Sequence, residues 1–242
     1  MVSNQPVSDS AEDVAEVFNR DGFLIARGLY GQEEMLDWKA RVFSILEAGG
    51  HISNDPKGSG VHVFMPDVLD PFFRERMQDA CVVSVLNRII GSNVEFLSVK
   101  SVYKNKFTRF GSPWHQDWYY WKGATKISVW IALDDATPEN GCLKMIAGSH
   151  FKRFKVKQVK AQNGFGWRIG NEEIAGLPET TLAVNRGDAV FFHDQTLHSS
   201  YPNTAGADRW SFISTYRDAS VRDESTVWKR PMVVAGESVN AG

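Results

Sequence analysis

From Val94 to Arg217 the chain breaks into short runs rich in β-branched and aromatic residues, separated by turn residues, with no helix-length apolar period between them. The β-prone runs are Val94 to Lys106, Lys126 to Leu133, Thr180 to Val184, Ala189 to His193 and Arg209 to Arg217, and Asp134 to Gly141 reads as a turn. Within Lys126-Ile127-Ser128-Val129-Trp130-Ile131-Ala132-Leu133 the side chains alternate strictly, as in a strand with two distinct faces. Consecutive strands without intervening helices bury their apolar faces by facing two sheets together or by closing one sheet on itself, so a sandwich or barrel is expected. The 242 residues, 43% of them hydrophobic, suffice for one large β-rich core. The expectation is a single domain over residues 1–242. It has a mainly helical part over 1–93, a strand-built core over 94–220 and a tail over 221–242.

The N-terminal part has a different texture. A first helix is expected from near Ser10, with Ser10 as cap, Asp13 three residues on, and Val14, Val17 and Phe18 as its apolar stripe; Gly22 ends it. Phe23 to Ala26 reads as a short strand, Glu33 to Leu46 as a second helix with Trp38, Val42 and Ile45 on one face, and Pro71 to Ile90 as a third helical region broken near Cys81 and stopped at Gly91. His51 to Pro66, rich in Gly, Ser, Asn and His, reads as a loop able to close over a site, with His51 and His62 as ordinary loop histidines.

Charge excludes several partners. A formal net charge of -2 and a pI near 6.3 leave no dense basic stretch for nucleic acid or a membrane surface. Lys152 to Lys160 comes nearest to one, but its cations alternate with Phe154, Val156 and Val159, as on an edge strand or loop with a solvated face. Cys81 and Cys142 are far apart and lack metal-ligand spacing, which fits a reducing compartment. Met1 to Ser10 is polar, with no signal-peptide pattern, and no apolar run reaches membrane-spanning length, so a cytoplasmic location is expected.

The densest chemical signal is Trp114-His115-Gln116-Asp117-Trp118-Tyr119-Tyr120-Trp121. If the stretch is extended, His115 and Asp117 project from one strand face and converge. A second histidine would complete the 2-His-1-carboxylate facial triad, which holds iron(II) on one face and leaves the other positions open. His198 is the candidate, and His193, at the end of an apolar strand, competes with it. For a metal between two facing sheets, a cupin-type jelly roll is the economical fold.

Downstream come Asn140-Gly141-Cys142-Leu143, Gly148-Ser149-His150, Gly187-Asp188, then His198, Ser200, Asn203 and Arg209. In this order and spacing, together with His115-Gln116-Asp117, they resemble the phytanoyl-CoA dioxygenase family of iron(II)- and 2-oxoglutarate-dependent oxygenases. The resemblance implies a double-stranded β-helix, mainly β with flanking α-helices packed outside. It also favours His198 over His193 as third ligand and leaves His150 a structural turn residue.

What the resemblance implies chemically is iron(II) held by His115, Asp117 and His198, with 2-oxoglutarate and dioxygen as cosubstrates. Oxidation of an unactivated carbon would then accompany release of succinate and carbon dioxide. Arg209, opening an alternating strand, would grip the distal carboxylate of 2-oxoglutarate, for which a guanidinium fork is better suited than an ammonium. Ser200 would donate to the same carboxylate, Trp130 would wall it, and Lys104 and Lys106 lie where the family carries a lysine near the cosubstrate. Asn203, in Tyr201-Pro202-Asn203-Thr204, shapes a turn.

Trp118, Tyr120, Trp121 and Phe64 are the expected substrate contacts. The aromatic entrance without a basic rim suggests a small, partly apolar metabolite. Halogenases of the resembling group carry a small residue in place of the carboxylate, and this chain keeps Asp117, so hydroxylation is expected. Two other readings stay open at this point: a cupin-type metalloenzyme that does not use 2-oxoglutarate, and a binding module with a vestigial site.

Overall fold

The structure, a computed structural model, describes residues 13–52, 60–107, 110–162, 165–228 and 230–240. Helix α1 (Val14–Asp21) begins at Asp13, whose carboxylate accepts from the Ala15 amide at 2.7 Å, three residues later than the expected cap at Ser10, which lies outside the described residues. Gly22 closes it in the left-handed conformation, with its N–H on the Phe18 carbonyl at 2.8 Å. Strand β1 (Phe23–Ala26) and helix α2 (Gln32–Ala48) follow as the sequence suggests.

The loop expected over His51 to Pro66 departs from expectation. Residues 53–59 fall outside the described set, but Val61–Phe64 is strand β2, hydrogen-bonded to the long strand β3 (Val94–Lys104). The third helical region is two helices, α3 (Pro71–Arg76) and α4 (Ala80–Ile90), and the break falls at 77–79, before Cys81. Asp70 caps the expected start, its carboxylate accepting from the Phe72 amide at 3.0 Å, and Asp79 occupies the N-cap position of the second helix, where a continuous one was expected.

The remaining elements are α5 (Trp118–Trp121), β4 (Lys126–Ala132), β5 (Leu143–Met145), β6 (Val156–Gln162), β7 (Phe165–Ile169), α6 (Asn171–Ile174), β8 (Thr180–Leu182), β9 (Ala189–His193), β10 (His198–Ser200), β11 (Arg209–Asp218) and β12 (Met232–Ala235). The larger sheet runs β1-β9-β4-β11-β3-β12 with β2 also on β3, a smaller one runs β10-β5-β8, and β6 and β7 form a separate hairpin. Lys152 to Lys160 therefore enters a two-stranded ribbon, as its alternation suggests. The segment after residue 220, expected as a tail, instead contributes β12 to the larger sheet.

Strand alternation gives the larger sheet two different faces. On one, Val99, Ile127, Val129, Phe191, Phe212 and Tyr216 join Trp38, Phe73 and Leu86 of the helices in the main core. Trp38 is fully buried, with Phe73 and Phe212 ring centroids 5.8 and 6.0 Å away. On the other face Trp130, Val190 and Phe192 pack against Leu143, Met145 and Leu182 of the smaller sheet. Two antiparallel sheets packed face to face, with helices outside one of them, make a double-stranded β-helix, or jelly roll. Among the described residues no helix is long and apolar enough to cross a membrane.

Candidate metal centre and cosubstrate pocket

His115 and His198 come together through the backbone. An isolated antiparallel bridge pairs them, so two residues far apart in sequence project side by side from adjacent segments. Asp117 arrives differently from the strand alternation expected. His115 is extended, but Asp117 turns into the right-handed helical region as the residue before α5. The chain thus folds its carboxylate back toward both imidazoles.

The ligand atoms of His115, Asp117 and His198 all lie within 4.8 Å of one another, and all three residues are buried. Asp117 Oδ1 is 3.5 Å from His115 Nε2 and 3.8 Å from His198 Nε2. The opposite ring nitrogens are engaged: His115 Nδ1 with the Pro113 carbonyl at 2.8 Å and His198 Nδ1 with that of Thr196 at 2.9 Å. A carbonyl can only accept, so each Nδ1 keeps the proton and each Nε2 presents its lone pair to the centre.

The electrostatics suit a cation. Burial, reinforced by the neighbouring His115, pushes the His198 imidazole down to about 3, so it is neutral at ordinary pH. Burial alone would raise the Asp117 carboxyl, but Lys100 and the two imidazoles outweigh it and hold the group well below the usual carboxylate range. Two imidazole nitrogens and one carboxylate are the donor set of a non-haem iron(II) site with open positions.

Beside the centre is a cavity of about 480 Å³ that reaches from the triad to Arg209. Arg209 is 2% exposed, its Nη1 donates to Ser211 Oγ at 2.8 Å, and its guanidinium lies 5.4 Å from the Trp130 ring centre. Its Nε has no hydrogen-bond partner among the described residues. Burial lowers the guanidinium only to about 10, so the charge persists at neutral pH. A buried, charged donor with an orphaned N–H calls for an anion, and the distal carboxylate of 2-oxoglutarate fits it.

Ser200 also faces this cavity. Its Oγ accepts from Lys104 Nζ at 2.8 Å and from the Ser112 amide at 3.0 Å. Lys104 lies directly opposite Arg209 across the β3–β11 pairing and also donates to the Tyr201 carbonyl. Burial and the adjacent Arg209 charge push the Lys104 ammonium down to about 6. Gly141, in the left-handed region at φ 99°, makes room for it, since a Cβ there would stand 2.7 Å from Lys104 Cδ and 2.8 Å from the Tyr201 carbonyl. This explains why the Asn-Gly turn belongs to the same motif as the site.

Other expected residues sit elsewhere. Lys106 lies past the end of β3, with its Nζ 4.9 Å from the Phe107 ring centre, and does not line the cavity; the lysine at the site is Lys104, two residues earlier on the inward row. Phe64 is on the wrong face of β2: it pairs with Val99 and packs on the main core, and its alternating neighbours Val61 and Val63 line the cavity. Trp118 turns outward on α5, where its Nε1 donates to the Gly123 carbonyl at 3.3 Å and Arg153 covers its ring at 3.7 Å. Tyr120 and Trp121, one helical step on, do line the cavity, as does Trp130.

His193 and His150 stay away from the centre. His193 Nδ1 accepts from the Gln195 amide at 3.0 Å, and His150 Nε2 lies 3.2 Å from the Asn19 carbonyl. Ser149 of the Gly-Ser-His turn accepts from the Leu197 amide at 2.8 Å, which anchors the start of the strand that carries His198. Asn203 shapes its turn by accepting from the Gly206 amide at 3.0 Å and donating to Ala207.

The sequence reading missed Lys100, Val63, Met65, Phe165 and Trp228 among the lining residues. Lys100 could have been found, because Ser98, Lys100, Val102 and Lys104 are the even positions of one strand, and Lys104 had already been placed near the cosubstrate. Trp228 carried no such signal, because it reaches the cavity only through the fold of the C-terminal segment.

The comparisons with known proteins agree with this geometry. The family described as "Phytanoyl-CoA dioxygenase (PhyH)" matches residues 18–211. The L-proline trans-4-hydroxylase of Streptomyces griseoviridis is 30% identical over 157 residues, 56% of this chain and 59% of that protein's length. The ectoine dioxygenase of Stutzerimonas stutzeri (strain A1501) is 24% identical over 240 residues, 89% of this chain and 78% of that protein. Among solved structures, the epimerase SnoN, crystallised with Fe3+, alpha ketoglutarate and nogalamycin RO, shares the fold. It aligns with a TM-score of 0.70 at 22% identity over 85% of this chain and 82% of its own. The non-heme monooxygenase ThoJ aligns with a TM-score of 0.76 at 20% identity over 93% of this chain and 85% of its own. With the family matched over most of its length, this chain belongs to the phytanoyl-CoA dioxygenase family of iron(II)- and 2-oxoglutarate-dependent oxygenases.

Proposed function

We propose that this protein is a hydroxylase-type dioxygenase that oxidises an unactivated carbon of a small, partly apolar metabolite. The observation that carries the reading is the pairing of the buried triad with the buried, half-satisfied Arg209 at the far end of one cavity. In this reading His115, Asp117 and His198 hold iron(II), and Arg209 binds the distal carboxylate of 2-oxoglutarate with Ser200 and Lys104 beside it. Iron and 2-oxoglutarate together supply an oxidant strong enough to take a hydrogen atom from an aliphatic carbon, with loss of carbon dioxide and formation of succinate.

The protein's own residues select and position. Trp130, held beside Arg209, limits how the cosubstrate can lie, and Phe192 and Phe165 pack against His198 and His115 at 4.8 Å between ring centroids. Those apolar contacts keep water from the metal side of the pocket. Tyr120 and Trp121 stand on the substrate side. Tyr120 is fixed by donating to the Trp167 carbonyl at 3.0 Å and Trp121 by donating to Asp194 at 3.1 Å, so both walls are rigid before a substrate enters. Similarity to enzymes named for proline and ectoine supports a compact substrate.

Asp117 supports hydroxylation in preference to halogenation, because it fills the ligand position a halide would need. The test is a metabolite screen that scores 2-oxoglutarate-dependent succinate release under oxygen, followed by product mass. A product heavier by one oxygen atom, unchanged in excess chloride, is expected. Chlorinated product, or turnover without succinate, would contradict the reading.

A further inference from the structure

Lys100 stands on the same inward row of β3 as Lys104, four residues nearer the strand's start, between Val63 of β2 and Ile213 of β11. At roughly 3.3 Å per residue the two lysines are about 13 Å apart along the strand, so they serve opposite ends of the cavity. Lys104 belongs to the Arg209 end, where its Nζ is already engaged by Ser200 and Tyr201. Lys100 has no such partners: it makes no hydrogen bond or ion pair among the described residues. Its Nζ instead lies 5.1 Å from the centre of the Trp121 ring. That ring is itself fixed by Asp194, so the ammonium is held over it by cation–π attraction and aimed into the cavity.

Charge matching makes Lys100 a surplus cation. A divalent metal and Arg209 are balanced by Asp117 and the dianionic cosubstrate, and Lys104, pushed down to about 6 by burial and by Arg209, carries little charge at neutral pH, which leaves Lys100 as the cation without a counter-charge once the site is loaded. Its cross-strand neighbours Val63 and Ile213 are apolar, and the same cavity carries Met65 and Val227, with Ser98 Oγ and Trp228 Nε1 as buried polar atoms without a partner among the described residues. An ammonium without a hydrogen-bond partner, set in a largely apolar lining with a few free donors, suits a carboxylate carried on an apolar body. We propose that Lys100 is the specificity-determining residue of the substrate pocket and that the substrate is a small, partly apolar carboxylic acid, anchored by its carboxylate on the Lys100 ammonium. This inference rests on the oxygenase reading above, since it treats Arg209 as taken by the cosubstrate.

Lys100 also helps to keep Asp117 ionised in the metal-free protein, a task that a bound iron(II) would take over; the competing assignment is that this is its whole role. The two roles separate in Lys100→Met. The experiment uses the full chain, anaerobic, with iron(II) and saturating 2-oxoglutarate, and adds a panel of small cyclic and linear carboxylic acids, each paired with its primary amide. Binding is read from tryptophan fluorescence, because Trp121 and Trp228 line the cavity.

In the wild type, acids should bind at least tenfold tighter than their amides. In Lys100→Met that preference should vanish while the visible band of the iron–keto-acid complex stays unchanged, and Lys100→Arg should restore part of it. Amides binding as well as acids, a preference that survives in Lys100→Met, or a panel with no acid that binds would overturn the proposal. Loss of the band in Lys100→Met alone would assign Lys100 to the metal site and also overturn it. Absence of the band in the wild type would bring down the oxygenase reading, and this inference with it.

Discussion

His115 and His198 each donate a backbone amide to the other's carbonyl, both at 3.1 Å, and their rings stand 4.0 Å apart by centroid. This single bridge joins the loop carrying Asp117 to the strand leading toward Arg209, so the His115-Asp117-His198 triad and the buried Arg209 guanidinium share one rigid frame. Their relative placement is therefore a property of the fold and precedes any ligand.

The two histidines outside this frame give a direct contrast. His198→Ala should abolish stoichiometric iron binding, because the remaining imidazole and carboxylate leave the facial set incomplete. His193→Ala and His150→Ala should keep it, because their rings are engaged with Gln195 and Asn19. Iron per protein after anaerobic loading and desalting measures this. Loss in His193→Ala with retention in His198→Ala would reassign the third ligand.

Arg209→Lys should weaken 2-oxoglutarate binding by about 2–3 kcal/mol, because an ammonium cannot reproduce the fork and leaves the buried carboxylate under-satisfied. Iron binding alone should be unaffected. Isothermal titration of the iron-loaded protein with 2-oxoglutarate separates the two effects, and an unchanged affinity would remove Arg209 from the cosubstrate site.

Gly141→Ala combines a residue forced to φ 99° with a Cβ driven against Lys104 and the Tyr201 carbonyl. A loss of about 1–3 kcal/mol in denaturant unfolding is expected. Weaker 2-oxoglutarate binding should accompany it, because Lys104 is displaced from Ser200. A variant as stable as the wild type would mean that this turn can relax.

How much of this was legible depends on the range of the interactions that place each residue. Arg209, Trp130 and Lys104 were readable because strand alternation is local, and their inward direction follows once one neighbour is assigned. The turn at Asp117 was not, because its aromatic neighbours favour a strand locally and only distant contacts overrule them; the Trp121 and Trp118 bonds to the Asp194 side chain and carbonyl tip the segment into α5. Phe64 was misassigned for want of a register, since a one-residue slip exchanges it with Val63. Trp228 depends on a buried ionic knot, in which Arg217 donates to Glu95 and Asp223, both at 2.6 Å, and so ties the C-terminal segment to β3.

Outside the site, Asp79 gives a pH signature. Burial pushes its carboxyl up to about 6 from 3.8, against the pull of Arg76 at 3.6 Å. The native state therefore holds this proton more tightly than the unfolded state. The group's stabilising contribution is complete below about pH 4 and is lost as the pH rises through about 6. Asp79→Asn should accordingly stabilise the protein at pH 7.5 by roughly 1–2 kcal/mol, allowing for partial exposure, and the gain should disappear near pH 4. Denaturant unfolding at the two pH values measures it, and an equal effect at both would contradict the assignment.

The central claim is that the triad and Arg209 together bind iron(II) and 2-oxoglutarate. Anaerobic titration of the metal-free protein with iron(II) and then 2-oxoglutarate tests it through the visible charge-transfer band of a keto acid chelated to iron(II). The account predicts the band in the wild type, its loss in His115→Ala, and its appearance in Arg209→Ala only at much higher 2-oxoglutarate. Iron binding without any band in the wild type would contradict the account.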